Sequence, residues 1–593
     1  MKVRVADYIV NRLNEAGINT VFLLNGGGMM HLVDAVARND KMKVVCNHHE
    51  QASAMAADGF SRFSGEIAAC FATSGPGGTN VITGLVGAWQ DSSKVLFVTG
   101  QSKSTQTIAN SNIDGLRQFG TFEVDIVPIA KSVTKYAYML IDPQSVRFHL
   151  EKALHLIASG RPGPVLLDIP LDIQGALVDP SQLHGFIAPV EELLTPVTDL
   201  QRLSSMVVES KRPVWLVGNG VRISGAVSEF RKLAENLKIP IVTTQLGKDI
   251  INYKHPLFVG HSGPKGDRAG NFAIQTADLI ISVGCSLHGQ TTGWENQLFA
   301  PEAIKVQVDI DQSLLEREDV GVELKIKLPV ERFIDLFAGV VNTHVCEDWL
   351  SRCLDWKNRY AVYREPHLSS AGSINVYHFI DYLSEILAND VCITSDAGSA
   401  FYIVGQGLLI KEGQRFISSG SLGAMGFALP AACGVAFADP NNMSVCITGD
   451  GSLMTNLHEL ATASHYNLNI KIFIINNNGY LSMKNTQKAF FGGGAVASDE
   501  SSGVFIPSIK AIADTFRIRH VLCGQNEDMS SLIPGVLAEK GPVICELTCQ
   551  QDQVIMPSVG SKRLDDGRMV SAPLHDMSPN LSDVHSKKKC ISI

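Results

Sequence analysis

Short apolar runs, each about as long as a strand, recur along the whole chain and stop at glycine, aspartate, asparagine or proline. Ile67 to Ala72, Val165 to Ile169, Val214 to Val217, Asp278 to Gly284, Lys305 to Asp309, Met443 to Thr448 and Ile470 to Ile475 are the clearest. Continuous apolar runs of this length read as strands buried on both faces, which is the pattern of parallel sheets covered by helices. The fold class expected is therefore α/β, with three open parallel-sheet units and helices on both faces of each. The units are placed at residues 1–178, 190–345 and 365–550, with a tail over 551–593. The proline-containing segment around 189–197 reads as a linker, and the third unit begins near residue 370.

Composition narrows the class. A chain of 593 residues that is 45% hydrophobic fills several cores rather than one. Its net charge of −9 gives no general attraction to polyanions, and Lys587 to Lys589 is too short a run to argue for nucleic acid over a solvated tail. No uninterrupted apolar stretch approaches the ~20 residues of a membrane span and no leader pattern opens the chain. A soluble, cytoplasmic protein without membrane or nucleic-acid partners is expected. The twelve cysteines are dispersed without a tight paired spacing and read as buried thiols.

Two strand ends carry the most specific chemistry. Gly449-Asp450-Gly451 stops the run Met443 to Thr448, and Asn476-Asn477-Asn478-Gly479 stops Ile470 to Ile475. Either alone is an ordinary turn. Together, at the carboxyl edge of one parallel sheet, Asp450, the Asn477 amide oxygen and the Gly479 carbonyl supply the oxygen ligands that Mg2+ takes beside a diphosphate. Far upstream, Glu50 follows His48-His49 at the start of a small-residue helix. A glutamate there serves equally as a partner for the helix dipole. Thr73-Ser74-Gly75-Pro76-Gly77-Gly78-Thr79-Asn80 reads as a strand, a tight turn and a helix start with exposed amides, or as a plain connection. Met425, in Gly423-Ala424-Met425-Gly426, reads alone as a core methionine.

Taken together these segments resemble the acetohydroxyacid synthase branch of thiamine diphosphate enzymes, which is similar also to pyruvate oxidases and benzoylformate decarboxylases. The likeness runs from about residue 1 to residue 550. It implies thiamine diphosphate and Mg2+ as cofactors, with Asp450, Asn477 and the Gly479 carbonyl as metal ligands. It implies that Glu50 hydrogen-bonds the pyrimidine and biases its tautomer, so that a basic nitrogen takes the proton of the reactive carbon. Asn25, Gly26, Gly27, Thr73, Pro76 and Asn80 would line the pyrimidine side. Gly423, Gly449, Gly451, Ser452, Tyr480 and Leu481 would line the remainder, and Met425 would prop the cofactor in a bent form. The resemblance further implies a cofactor held between the first unit of one subunit and the last unit of another, hence at least a homodimer, with dimer and tetramer both open.

The implied reaction is decarboxylation of a 2-oxo acid, pyruvate being the leading donor, with transfer of the remaining unit to a carbonyl acceptor. A non-ligating decarboxylase and a cofactor-free homologue are the alternatives. Three departures from the family pattern bear on the acceptor. Thr121-Phe122-Glu123 stands where synthases carry Phe-Gln-Glu, Gln487 stands for a tryptophan, and Ser395 to Phe401 lacks a histidine-glutamine pair. A larger or more polar acceptor, such as a keto sugar, is expected. FAD binding is left open, because Ser286 and Gln290 occupy positions of arginines near Gly218-Asn219-Gly220 and Gly284.

His31, His49 and Gln118 are candidate catalytic side chains beside Glu50, each with packing or surface hydrogen bonding as the plainer reading. Arg117 and Lys484 are candidates for a substrate carboxylate. Gln487 is a candidate polar specificity residue, and Lys265 and Arg268 read mainly as solvated surface. The tail reads either as surface packing or as a cover over the site entrance.

Overall fold

In the computed structural model, which describes residues 1–190, 196–341, 346–365, 372–492 and 494–581, three six-stranded sheets carry the chain. All their strand pairings are parallel. The runs read as strands are strands, at Ala68–Ala72, Val165–Pro170, Pro213–Val217, Leu279–Val283, Ile304–Asp309, Ser444–Gly449 and Ile470–Asn476. Apart from Ile304 at the start of its strand, their apolar side chains are buried on both sheet faces, as a covered parallel sheet requires. The expected linker around 189–197, the start of the third unit near 370 and Lys587 to Lys589 fall wholly or partly outside the described residues.

Numbered along the chain within each unit, the first sheet has strand order 2-1-3-4-6-5 and the third repeats it. The middle sheet has order 3-2-1-4-5-6, the doubly wound arrangement. The first and third units meet through two helices, Glu50–Ser64 and Ala428–Ala438. The second of these is buried all round, which its composition of alanine, glycine and apolar residues allows, and Pro430 lies in its first turn, where a missing N–H costs nothing. The helices cross almost backbone to backbone. A side chain on Gly59 would come within 2.5 Å of the Ala431 carbonyl oxygen, and one on Gly434 would collide with that of Ala56.

Most of the tail packs on the middle unit. Val559, Leu574 and Met577 are buried with Trp349 and Trp356, and short antiparallel pairs form at Ser558–Val559 with Met577–Ser578 and at Ser561–Arg563 with Met569–Ser571. From Val559 to Leu581 the tail packs on the middle unit, while its first residues lie against the third: Gln553 accepts from the Val376 amide and from Asn485 Nδ2, and the Pro557 carbonyl accepts from Gln406. This packing also corrects the surface reading of Arg268. Arg268 is buried, pairs with Glu365 at 2.6 Å and donates to the Met577 and Pro579 carbonyls, so it fastens the tail. Lys265 is half-buried rather than solvated, and burial lowers its pKa. Among the described residues no helix is long and apolar enough to cross a membrane. Most described cysteines are buried and none is in a disulfide.

Candidate active site

The two halves expected from sequence form at the carboxyl edges of the two terminal sheets. On the first, the strand Ala68–Ala72 ends at Thr73, and Gly75 turns the chain into the short helix Pro76–Asn80. Asn80 donates through Nδ2 to Glu50 Oε2 at 3.0 Å, and Gly77 packs against Glu50 Oε1. Glu50 is itself 95% shielded from solvent. Thr73 Oγ1 accepts from the Gly28 amide at 3.0 Å, which lays the Asn25-Gly26-Gly27 loop over the same edge. Asn25, Gly27 and Pro76 are exposed there. A buried carboxylate, an amide that fixes its direction and an open rim thus come together.

The two candidate histidines are placed on the helices that follow. His49 caps the Glu50–Ser64 helix, its Nδ1 accepting from the Gln51 amide at 3.1 Å, while its ring lies 5.7 Å from that of His458. His31 sits on the helix Met30–Ala37, with its ring close against Gly175. Gln118 and Arg117 are exposed in the loop that follows the strand Val95–Gln101.

On the third sheet, Gly449 ends its strand and Asp450 opens a turn of helix. The Asp450 carboxylate is 1% exposed and accepts from the Gly451 amide at 2.7 Å and the Gly479 amide at 3.0 Å. Burial pushes its pKa up to about 6, against the pull of those amides. Beside it, Oδ1 of Asn477 is buried and has no hydrogen-bond partner. A buried acceptor left unpaired costs roughly 1–3 kcal/mol, so such an atom marks a missing electropositive partner. A carboxylate, an orphaned amide oxygen and the backbone of Gly479 form the oxygen set a hard divalent cation takes. The residues therefore fit Mg2+. Tyr480 packs on Gly451, and Leu481 is buried at the start of the helix Leu481–Phe491. Ser452 is buried, while Met425 is 41% exposed.

One organising residue escapes a sequence reading. Asp396, 1% exposed, accepts from the amides of Ala397, Gly426 and Ala428 and from Thr448 Oγ1. It thereby ties the turn that carries Gly423 and Met425 to the strand that ends at Gly449. Glu459 works similarly across units: fully buried, it accepts from Asn47 Nδ2 and the His48 amide, each at 2.8 Å, and from Thr462. The signal for Asp396 was an acid at the end of a buried strand, a place where an unsatisfied carboxylate is too costly to be accidental.

Two side chains are committed elsewhere. Gln487 bonds both backbone groups of Val496, at 2.9 and 3.0 Å, so it braces the chain beyond its helix rather than facing an acceptor. Lys484 pairs with Asp499 at 2.9 Å, and hydroxyls of Ser501 and Ser502 together with Lys484 hold that carboxylate well below its usual range.

A separate cavity of about 320 Å3 lies at the carboxyl edge of the middle sheet, lined by Gly218, Gly284 and Asp309 and closed by Arg161 and Gly420 of the other units. Arg161 is already paired with Asp311 at 3.0 Å, and Ser286 and Gln290 in the lining are neutral.

Comparison with known proteins agrees across the chain. Residues 3–119 match the thiamine pyrophosphate enzyme N-terminal TPP binding domain, residues 200–334 the central domain and residues 396–547 the C-terminal TPP binding domain. The acetolactate synthase large subunit of Cyanidium caldarium is 30% identical over 93% of this chain and 94% of its own length. The acetolactate synthase isozyme 2 large subunit of Escherichia coli is 31% identical over 93% and 97%. A probable acetolactate synthase large subunit of Methanocaldococcus jannaschii is 32% identical over 82% of each.

Proposed function

Since the chain belongs to the acetolactate-synthase-like family of thiamine diphosphate enzymes, with thiamine diphosphate and Mg2+ as its cofactors, we propose that it decarboxylates a 2-oxo acid, pyruvate first among donors, and transfers the remaining unit to a second carbonyl compound. The observation that supports this reading most is the orphaned Asn477 oxygen beside the amide-wrapped carboxylate of Asp450.

When bound, thiamine diphosphate supplies an acidic carbon that adds to the donor carbonyl and accepts the electron pair left as CO2 departs. The chain's own work is placement. Asp450, Asn477 Oδ1 and the Gly479 carbonyl would hold Mg2+, whose charge would offset that of the diphosphate. Glu50 would hydrogen-bond the pyrimidine nitrogen and so favour the tautomer whose exocyclic nitrogen is basic. Asn80 fixes the direction of that carboxylate. Its burial strengthens the hydrogen bond by excluding water. Met425, unbranched and exposed on a turn pinned by Asp396, props the cofactor without a fixed shape of its own. His49, engaged as a helix cap, contributes position rather than a free base. A dinucleotide in the middle cavity would have no step in this reaction, which involves no net oxidation.

No hydrogen bond or ion pair joins Glu50 to Asp450 or Asn477 among the described residues. The complete site on this reading forms between the first unit of one copy and the third unit of another, in at least a homodimer. The test is mass-resolved product analysis with the purified protein, both cofactors, labelled pyruvate and a panel of oxo-acid, aldehyde and keto-sugar acceptors. A ligated product carrying the labelled two-carbon unit is expected. Labelled acetaldehyde alone would make the protein a simple decarboxylase, and no turnover with any donor would sink the proposal.

A further inference from the structure

The loop after the strand Val95–Gln101 holds one side chain in a way its packing does not require. Phe122 has φ +56°, a left-handed conformation that is a genuine outlier for a bulky residue, and its ring is 71% exposed. An exposed phenylalanine in a costly backbone state gains nothing from burial, so the surroundings must impose the conformation. They do so heavily. Glu123, 4% exposed, gathers the amides of Ile108, Phe119 and Gly120. Ser102 Oγ donates to the Thr121 carbonyl at 2.8 Å, and Gln101 Nε2 donates to the Val124 carbonyl at 2.8 Å. Both flanks of Phe122 are therefore anchored.

The Phe122 backbone rests directly on the turn beside Glu50. A side chain on Gly75 would lie 2.5 Å from the Phe122 carbonyl oxygen and 3.5 Å from its Cβ. Two residues on, Gly77 packs against Glu50 Oε1. The Phe122 backbone and Cβ thus lie against the pyrimidine-side turn on an anchored loop, with the side chain exposed. Rigid presentation of an exposed aromatic at a functional edge is what a recognition surface needs, because no ordering entropy remains to be lost on binding.

We propose that Phe122 is the specificity-determining wall for the second, acceptor carbonyl compound, and that it selects an acceptor with a broad C–H face, a pyranose bearing a free ketone on a ring carbon being the class, over a second short 2-oxo acid. This rests on the carboligase reading above. An aromatic face carries negative charge in its quadrupole, so it attracts polarised C–H groups and disfavours a carboxylate laid against it. Phenylalanine has no polar atom with which to offset that repulsion.

The experiment compares wild type, Phe122→Ala, Phe122→Gly and, as a control on the same exposed loop, Ile113→Ala, each with thiamine diphosphate, Mg2+ and labelled pyruvate. Ligation is followed with a pyranose bearing a free ketone on a ring carbon and with unlabelled pyruvate as acceptor, and thermal midpoints are recorded. For Phe122→Ala and Phe122→Gly the KM for the sugar rises about 10-fold, more than kcat at saturating sugar falls, and the sugar-over-pyruvate ratio of kcat/KM drops by about the same factor. Ile113→Ala matches wild type in both quantities. Phe122→Gly melts at or above the wild-type midpoint, since glycine adopts φ +56° freely. Where Phe122→Ala does not fold, Phe122→Gly carries the comparison. An unchanged sugar KM in Phe122→Gly, or a wild type that ligates pyruvate in preference to the sugar, overturns the inference alone. A wild type that turns over no donor overturns the carboligase reading and this inference with it.

Discussion

The first and third units build their sheets in the same strand order, 2-1-3-4-6-5, and each presents a buried carboxylate at its carboxyl edge, yet the two edges leave different groups unpaired. Glu50 receives a side-chain amide from Asn80, which orients it, with the rim beyond it open. Asp450 is wrapped by backbone amides, and the unsatisfied atom is the neighbouring Asn477 oxygen. On the proposed reading one edge directs a proton preference and the other receives a positive charge. The same topology therefore serves two chemistries because the loops, not the strands, carry the polar atoms.

The comparison breaks most sharply at Glu50. On the proposal that Glu50 controls the tautomer, Glu50→Gln lowers kcat by about 10²–10⁴-fold while Mg2+ affinity stays near wild type, as steady-state rates and metal titration would reveal. A parallel loss of metal affinity would show that the edges are not separable. At the other edge, Asp450→Asn and Asn477→Ala weaken Mg2+-dependent retention of thiamine diphosphate by at least about 10–100-fold, measured by calorimetric titration. Cofactor retention unchanged in both variants would remove the metal assignment.

The contact between the units is tested by Gly434→Val. Its side chain has no room against Ala56 in the facing helix. Overpacking there is expected to cost about 1–3 kcal/mol in a reversible unfolding experiment, whereas Gly17→Ala, at a left-handed turn with open space around it, acts only through backbone strain. A smaller effect sharpens the difference between the two buried aspartates that brace the edges. Asp168 receives two side-chain donors, Thr99 and Gln101, and burial pushes its pKa up to about 7. Asp396 receives three amides and a hydroxyl, which offset part of the upward shift that burial produces. A raised carboxyl pKa means that the folded state binds more protons than the unfolded one between the ordinary value and pH 7. The stabilising contribution of Asp168 is thus present at low pH and lost as pH rises from about 4 through 7. The difference in thermal midpoint between wild type and Asp168→Asn should shift in that direction across pH 5–8, and a difference independent of pH would show that Asp168 stays ionised.

Much of this was legible residue by residue. The apolar runs and the residues that stop them placed the strands to within a residue or two, because a strand covered on both faces has to be apolar throughout and its end has to be polar or flexible. Asp450 and Asn477 were legible because their spacing follows those strand ends. Asp396 and Glu123 were not, since each works by accepting amides from segments distant in sequence or folded back on themselves; the strand end before Asp396 hints at a buried acid but not at its partners. The partners of Gln487 were hidden for a related reason. Its residue type suggested a contact with substrate, and folding gave its hydrogen bonds to Val496.

Sequence by itself determined the three-sheet α/β plan, the two edges and the side chains that meet at each, because hydrophobic period and turn chemistry act over a few residues. Only the tertiary structure decided the strand order, the backbone-close crossing at Gly59 and Gly434, the fastening of the tail by Arg268, and the positive φ of Phe122 beside Gly75. Those features depend on which distant segments share a surface. That choice is made by the burial of the whole chain and the pairing of every polar group it encloses.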